Sequence, residues 1–458
     1  MNNLEIRSAV SIAILFMVRM LGLFAILPVL PLVADKVENS TPLLIGIAVG
    51  IYGLSQAILQ IPMGLLSDQF GRKCIIVLGL GIFVMGSLIA GFSNDIYSIL
   101  FGRLLQGCGA IASTLFALIS DLTRIEHRSK AMAIIGVGIA GSFGLSVVIG
   151  PALATWFGHS SIFLFSAVTG VIGILLVWKV IPTPTVIKTN LNTAVVTEKL
   201  RSILFNPALI PIYVGVMFLH FFLTSGFLVF PLMLKGIGIN EAVHSIYYLG
   251  ILLASAIIMS PFIWLSDRKG QSKSIMSVSI VLMFASLTGL GMDNGYFSML
   301  ILILGFFIAF NLLEILLPAH VSRSVAAGAR GTGMGVYSTF QFTGTFLGGL
   351  AGGLILTVGD ISHVMYVNGV ICLLWFILSL KLQNLNSVES RTINFDISRG
   401  VSANSFIERL SSMGGVLDVV LVEKEGVAYL KVDSTSFDEK DLQYIGITGT
   451  GESDGTGN

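Results

Sequence analysis

The chain has 458 residues, 54% of them apolar and 11% charged, with a net charge of +1 and a mean hydropathy of +0.91. A soluble domain cannot bury that much apolar surface, so the composition points to an integral membrane protein. Near-neutral charge gives no sign of a nucleic-acid partner, and Cys74, Cys108 and Cys372, with no CxxC pair, offer neither a disulfide framework nor a zinc site.

A helix needs roughly 20 apolar residues to cross the hydrocarbon layer. The hydropathy pattern predicts spans at 7–34, 43–66, 74–92, 96–120, 131–157, 160–181, 207–234, 243–265, 274–292, 297–319, 332–358 and 361–381. The first run, with Pro28 and Pro31, is too long for the core of a cleaved signal and is expected to remain as helix 1. Polar residues 182–206, punctuated by prolines, read as a linker between one half at 1–181 and another at 207–381. Short loops on the linker side collect Arg72, Lys73, Arg124, Arg128, Lys130, Arg268, Lys269, Lys273, Arg323 and Arg330, against Lys36 and Lys235 opposite. That asymmetry predicts cytoplasmic termini.

Beyond Leu382 the pattern changes. "TINFDIS" alternates Ile393, Phe395 and Ile397, "SANSFIERLSSMGG" reads as a capped amphipathic helix, and "VLDVVLVEKEGVAYLKVDS" as two strands about a turn at Glu425-Gly426. With a second helix over 438–444 this gives β-α-β-β-α, a ferredoxin-like order without its last strand, as a small cytoplasmic α/β domain at 391–445. Residues 446–458 are small, polar and expected to be disordered.

Three charged residues fall deep inside spans: Arg19, Arg103 and Glu314, on helices 1, 4 and 10, with His220 on helix 7. Charge in hydrocarbon is costly unless it meets water or a partner, so these four suggest a polar cavity. Asn311 lies three residues before Glu314, on one helical face. Glu314 is about two turns from the cytoplasmic end of its predicted span and reads as a proton or cation site, or as one end of a permanent ion pair. Tyr52, Gln56, Gln60, Thr224, Tyr337 and Gln341 either face the same cavity or pack helices.

Four stretches carry a family resemblance. "GLLSDQFGRK", between helices 2 and 3, resembles motif A of the major facilitator superfamily through Gly64, Asp68, Gly71, Arg72 and Lys73, departing at Gln69. A weaker copy, "WLSDRKGQSK", follows helix 8, so the chain reads as a repeat of two six-helix halves. "LFGRLLQGCGAIAS" resembles motif B through Arg103, Gln106, Gly107 and Gly109, and "GIAGSFGLSVVIGP" is a loose relative of the antiporter motif.

The resemblance implies an all-α polytopic membrane protein of twelve transmembrane helices in two pseudo-symmetric halves, within the drug:proton antiporter group. It implies a central cavity lined by helices 1, 4, 7 and 10, and an Asp68 that faces the start of helix 11 and favours the outward-open state. Arg103 is implied in proton transfer; the other reading of it is a tether from helix 4 to carbonyls of helix 1. Asp121, Arg124 and Arg128 are the companion charges of the cytoplasmic loops. The tail is similar to metallochaperone-like ferredoxin folds but has no CxxC, so no metal is expected.

The function expected is alternating-access exchange of protons for a small amphipathic or cationic solute in a bacterial inner membrane. Solute, protons and the bilayer are its partners, with a small ligand or protein at the tail domain. No cofactor is expected, and with neither a P-loop nor a nucleophile–base set the chain does not read as an enzyme. A nutrient symporter or uniporter on the same fold, and a membrane sensor signalling through the tail, are the other readings.

Overall fold

The computed structural model describes residues 1–124, 127–182, 201–269, 271–292, 295–325, 330–380, 388–394, 403–422, 427–433 and 436–438. Among them are 12 helices long and apolar enough to cross a membrane. These are α1 (Asn3–Phe24), α2 (Pro42–Phe70), α3 (Arg72–Gly91), α4 (Ile96–Leu122), α5 (Arg128–Phe157) and α6 (Ser160–Lys179). The second set is α7 (Ile210–Gly236), α8 (His244–Lys269), α9 (Ser272–Leu290), α10 (Tyr296–Ser324), α11 (Arg330–Val358) and α12 (Ile361–Ser379).

Helices are the natural solution in lipid because they satisfy their own backbone, and polar side chains close their ends. Thr41 caps α2, accepting from the Leu44 amide at 3.2 Å, and Asp95 caps α4 from Tyr97 and Ser98. Between α2 and α3 the chain reverses at Gly71, whose φ of +90° is strained for any residue with a side chain.

Three boundaries differ from expectation. Helix 1 does not run to 34: α1 ends at Phe24 and a 3-10 turn covers Leu30–Lys36, because Pro28 and Pro31 donate no amide hydrogen to continue an α-helix. Helix 4 is interrupted at residues 109–111. There Gly109 lies so close to α3 that a Cβ on it would fall 2.3 Å from the Gly79 carbonyl oxygen. Helix 10 continues to Ser324, which places Glu314 about 15 Å from its end rather than two turns.

Packing repeats with a period of six helices. α1 lies on α5 and α6 as α7 lies on α11 and α12; α3 packs on α4 and α6 as α9 packs on α10 and α12; α2 meets α4 as α8 meets α10. The halves touch chiefly through α2 with α11 and α5 with α8. The linker residues 183–200 lie outside the described residues.

In the tail, β1 (Val388–Asn394), α13 (Ala403–Ser411), β2 (Val416–Val422) and β3 (Val427–Asp433) are described. The sheet is antiparallel in the order β1-β3-β2, pairing Arg391 with Leu430 and Val419 with Leu430 across its central strand. Ile393, Phe406, Leu410, Ala428, Leu430 and Val432 form its core. The expected alternation at Phe395 and Ile397, the turn at Glu425-Gly426 and the second helix fall outside the described residues. A complete ferredoxin-like order is therefore not established.

Candidate functional site

Polar side chains from three helices of the second half converge at mid-depth. Glu314 on α10 keeps 28% of its side chain open, and its Oε1 accepts from Gln341 Nε2 of α11 at 3.3 Å. The same amide nitrogen lies 2.7 Å from His220 Nε2 on α7, while His220 Nε2 is 3.7 Å from Glu314 Oε2. His220 Nδ1 is 3.2 Å from the Val216 carbonyl oxygen. With Nδ1–H donating to that carbonyl and Nε2 accepting from Gln341, the imidazole is the neutral Nδ1–H tautomer. Glu314 Oε2 and the buried Tyr337 hydroxyl have no hydrogen-bond partner. Asn311, expected beside Glu314, is tied instead to Ser255 of α8 at 2.9 Å.

The first half resolves its two buried guanidinium groups differently. Arg103 uses three nitrogens: Nε donates to Ala48 O at 3.1 Å, Nη2 to Val49 O at 3.2 Å and Nη1 to Gln106 Oε1 at 3.0 Å. Gln106 passes the chain on to Ser87 of α3 at 2.7 Å. Arg103 also stands 5.1 Å from the centre of the Tyr52 ring. It thus tethers α4 to α2, not to helix 1. Gln56 strengthens the same seam through Gly107 O at 2.8 Å. Arg19 on α1 is equally buried, yet none of its three guanidinium nitrogens has a hydrogen-bond partner. Gln60 is buried with its amide unpartnered, and Thr224 is buried on α7 one turn beyond His220.

We expect Arg103→Ala to lower stability by about 2 kcal/mol through loss of this tether, read as a lower melting temperature in detergent. Arg103→Lys, which cannot reproduce the fork of donors, should recover only part of it. An unchanged melting temperature for Arg103→Ala would contradict the tether.

At the linker-side end of α2, Arg72 is a buried hub. It pairs with Asp68, donates to Asp121 Oδ2 at 3.0 Å through Nε and to Ser67 Oγ at 2.7 Å through Nη1. Arg124 reaches back to Glu5 of α1 at 3.0 Å. Gly64 abuts Ser113 of α4. Asp68, expected opposite the start of helix 11, has Arg72 of its own loop as its partner here. Lys73 opens α3 half-buried, and the side chains of Arg128 and of the second motif copy at 267–270 lie outside the described residues.

The contact between halves was not legible from charged residues, because glycine makes it. A Cβ on Gly46 would fall 2.3 Å from Gly349 O, one on Gly50 2.9 Å from Phe346 O, and one on Gly53 2.6 Å from Phe342 O. The spacings Gly46-x-x-x-Gly50 and Gly349-x-x-x-Gly353 were the available signal. All these positions lie toward the face opposite the linker. On the linker-side half, Gly64 and Gly333 meet only side chains of their own half, and Gly136 and Gly335 meet nothing. Between the two levels, Phe143 of α5 bridges to Phe227 of α7 and Phe310 of α10, at ring separations of 6.3 and 5.8 Å.

Two helical halves pressed together at one face, with buried ionisable groups at mid-depth in each, are the architecture of a membrane transporter. Residues 12–263 and 227–412 match the family model described as Major Facilitator Superfamily, and the chain belongs to that family. It is 36% identical over 432 residues to the inner membrane transport protein YajR of Escherichia coli (strain K12), covering 94% of this chain and 95% of that one. It is 27% identical over 351 residues to multidrug resistance protein 2 of Bacillus subtilis (strain 168), covering 74% and 86%. Among solved structures, a D-xylose-proton symporter superposes with a TM-score of 0.67 at 15% identity, over 83% of this chain and 98% of that one, a likeness of fold alone.

Proposed function

We propose that the chain is a proton-coupled antiporter that exports small amphipathic compounds across a bacterial inner membrane by alternating access, with cytoplasmic termini. The observation that carries this reading is the Glu314–Gln341–His220 cluster, because it joins the one deep carboxylate among the described residues to α7 and α11. α11 is also the helix that closes against α2. A proton on Glu314 cancels its charge, and a proton on His220 Nε2 turns an acceptor toward Gln341 into a donor. Either change rewires the bonds that set the position of α11. The name of the similar inner membrane transport protein agrees with transport there, and that of the multidrug resistance protein with export.

In the expected orientation the glycine seam seals the periplasmic face, so this conformation is the inward-facing one. Motif A then acts in the other conformation. The Asp68 side chain, 42% exposed, is within reach of the start of α11 when the cytoplasmic face closes. Asp68→Asn should lower labelling of Thr224→Cys from the face opposite the linker, because it depopulates the outward-facing conformation, in a background lacking Cys74, Cys108 and Cys372. Labelling equal to that of Asp68 protein would leave the loop as a topology anchor. The tail sheet is a soluble accessory unit that takes a small ligand or protein partner.

Transport direction tests the reading. In proteoliposomes with an acidic lumen, an antiporter accumulates solute inside as protons leave, whereas a symporter expels it. Lumenal accumulation of members of a panel of amphipathic compounds supports antiport. Proton-driven expulsion selects the symporter, and absence of flux across the whole panel selects the sensor.

A further inference from the structure

Arg19 is the least explained group in the bundle. It is fully buried, none of its three guanidinium nitrogens has a well-formed hydrogen bond, and the Tyr52 hydroxyl is the polar group that stands against it. The contrast with Arg103 is internal: at similar burial the same half supplies three well-formed hydrogen bonds to one guanidinium and none to the other. A buried, unpaired charge is among the most destabilising features a membrane bundle can carry, and such a group persists where something outside the fold completes it. Its neighbour Tyr52 also lacks a well-formed hydrogen bond; among the described residues its hydroxyl is the one nearby acceptor for the guanidinium and is neutral, so no counter-charge stands beside Arg19 and the Tyr52 O–H is left free to donate. Tyr52 reaches the other half as well, with its ring 6.4 Å from Phe342 of α11, one residue from Gln341.

We infer that Arg19, with Tyr52 beside it, is the docking point for an anionic group of the transported solute, which is accordingly an amphipathic organic anion rather than a cation. The inference rests on the transport reading above and narrows its substrate class. A carboxylate matches the planar fork of a guanidinium with two parallel hydrogen bonds and restores the missing counter-charge. Arg19 and Arg103 in the first half repel a cation, and Glu314, the one deep carboxylate among the described residues, is engaged by Gln341 through Oε1. The apolar body of the solute meets the aromatic residues around Phe143, which joins Phe24 of α1 to Phe227 and Phe310. Contact at Tyr52 places the anion next to the α2–α11 seam, so its arrival and departure are felt where the halves close.

Calorimetric titration of the purified full-length protein with three probes of one shape tests this: 1-naphthoate, its neutral amide 1-naphthamide, and cationic 1-naphthylmethylammonium. Wild type should bind the carboxylate about tenfold or more tighter than the amide, and the ammonium weakest. Arg19→Gln should erase the difference between carboxylate and amide, while Arg19→Lys, which keeps the charge and the fold, should retain part of it. Tighter binding of the ammonium by wild type, absence of saturable naphthoate binding, or an undiminished carboxylate preference in either variant would overturn the assignment. Because the titration reads binding without flux, it can fail while proton antiport stands. A carboxylate preference lost with Arg19 supports the assignment whichever way protons move.

Discussion

Glu314→Gln is expected to abolish proton-driven accumulation in proteoliposomes while leaving downhill exchange of the same solute. The amide has the size and shape of the carboxyl group and still accepts from Gln341, 3.3 Å away in the native protein, so the junction of α10 with α11 survives. What disappears is the ability to exist in two charge states. A carrier permanently in its neutral form can still move solute down its own gradient, because the halves still rock, but no proton gradient biases the direction. Glu314→Asp should fall between the two, since shortening the side chain by one methylene withdraws the carboxylate from Gln341 and His220. A Glu314→Gln protein that accumulates solute at the wild-type rate would remove this residue from coupling and shift attention to His220.

The second large effect is expected at the glycine seam. At Gly349 even a Cβ would fall 2.4 Å from the Gly46 carbonyl oxygen, so Gly349→Leu forces α11 away from α2. Overpacking of this kind costs about 2 kcal/mol or more in the closed arrangement and little where the two helices are apart. That shifts the ratio of closed to open at this face by roughly thirtyfold. Thr224→Cys, at a buried position of α7 in this conformation, should then react rapidly with a membrane-impermeant thiol reagent added from the face opposite the linker, and uphill transport should cease. Slow labelling, like that of the parent with Gly349, would mean that the contact is not the gate.

The bundle was legible in sequence because lipid leaves the chain few choices. A mean hydropathy of +0.91 and regularly spaced apolar runs were enough to place all the candidate spans. What stayed hidden depends on helix rotation and on partners far away in sequence. Glu314 and His220 stand out as ionisable residues in apolar surroundings, but nothing local says that Gln341 bridges them, since that contact is set by how α7, α10 and α11 turn toward one another. Likewise Arg103 was visible as a mid-membrane charge, whereas its acceptors on α2 were not. The glycine seam was camouflaged for another reason. With 51 glycines in the chain, a pair at four-residue spacing singles out no particular interface. The early end of helix 1, at Pro28 and Pro31, and the break within helix 4, where Gly109 approaches α3, were hidden because both lie inside continuous apolar runs.

Proton release by the purified protein tests the central claim most directly. In weakly buffered detergent solution, a compound shown to be transported is added and the pH is followed. An antiporter binds its solute in a conformation that does not hold the Glu314 proton and so releases protons on binding; wild type should acidify the solution in proportion to solute bound and Glu314→Gln should release none. Equal release by the two proteins, or proton uptake by the wild type, would contradict the account.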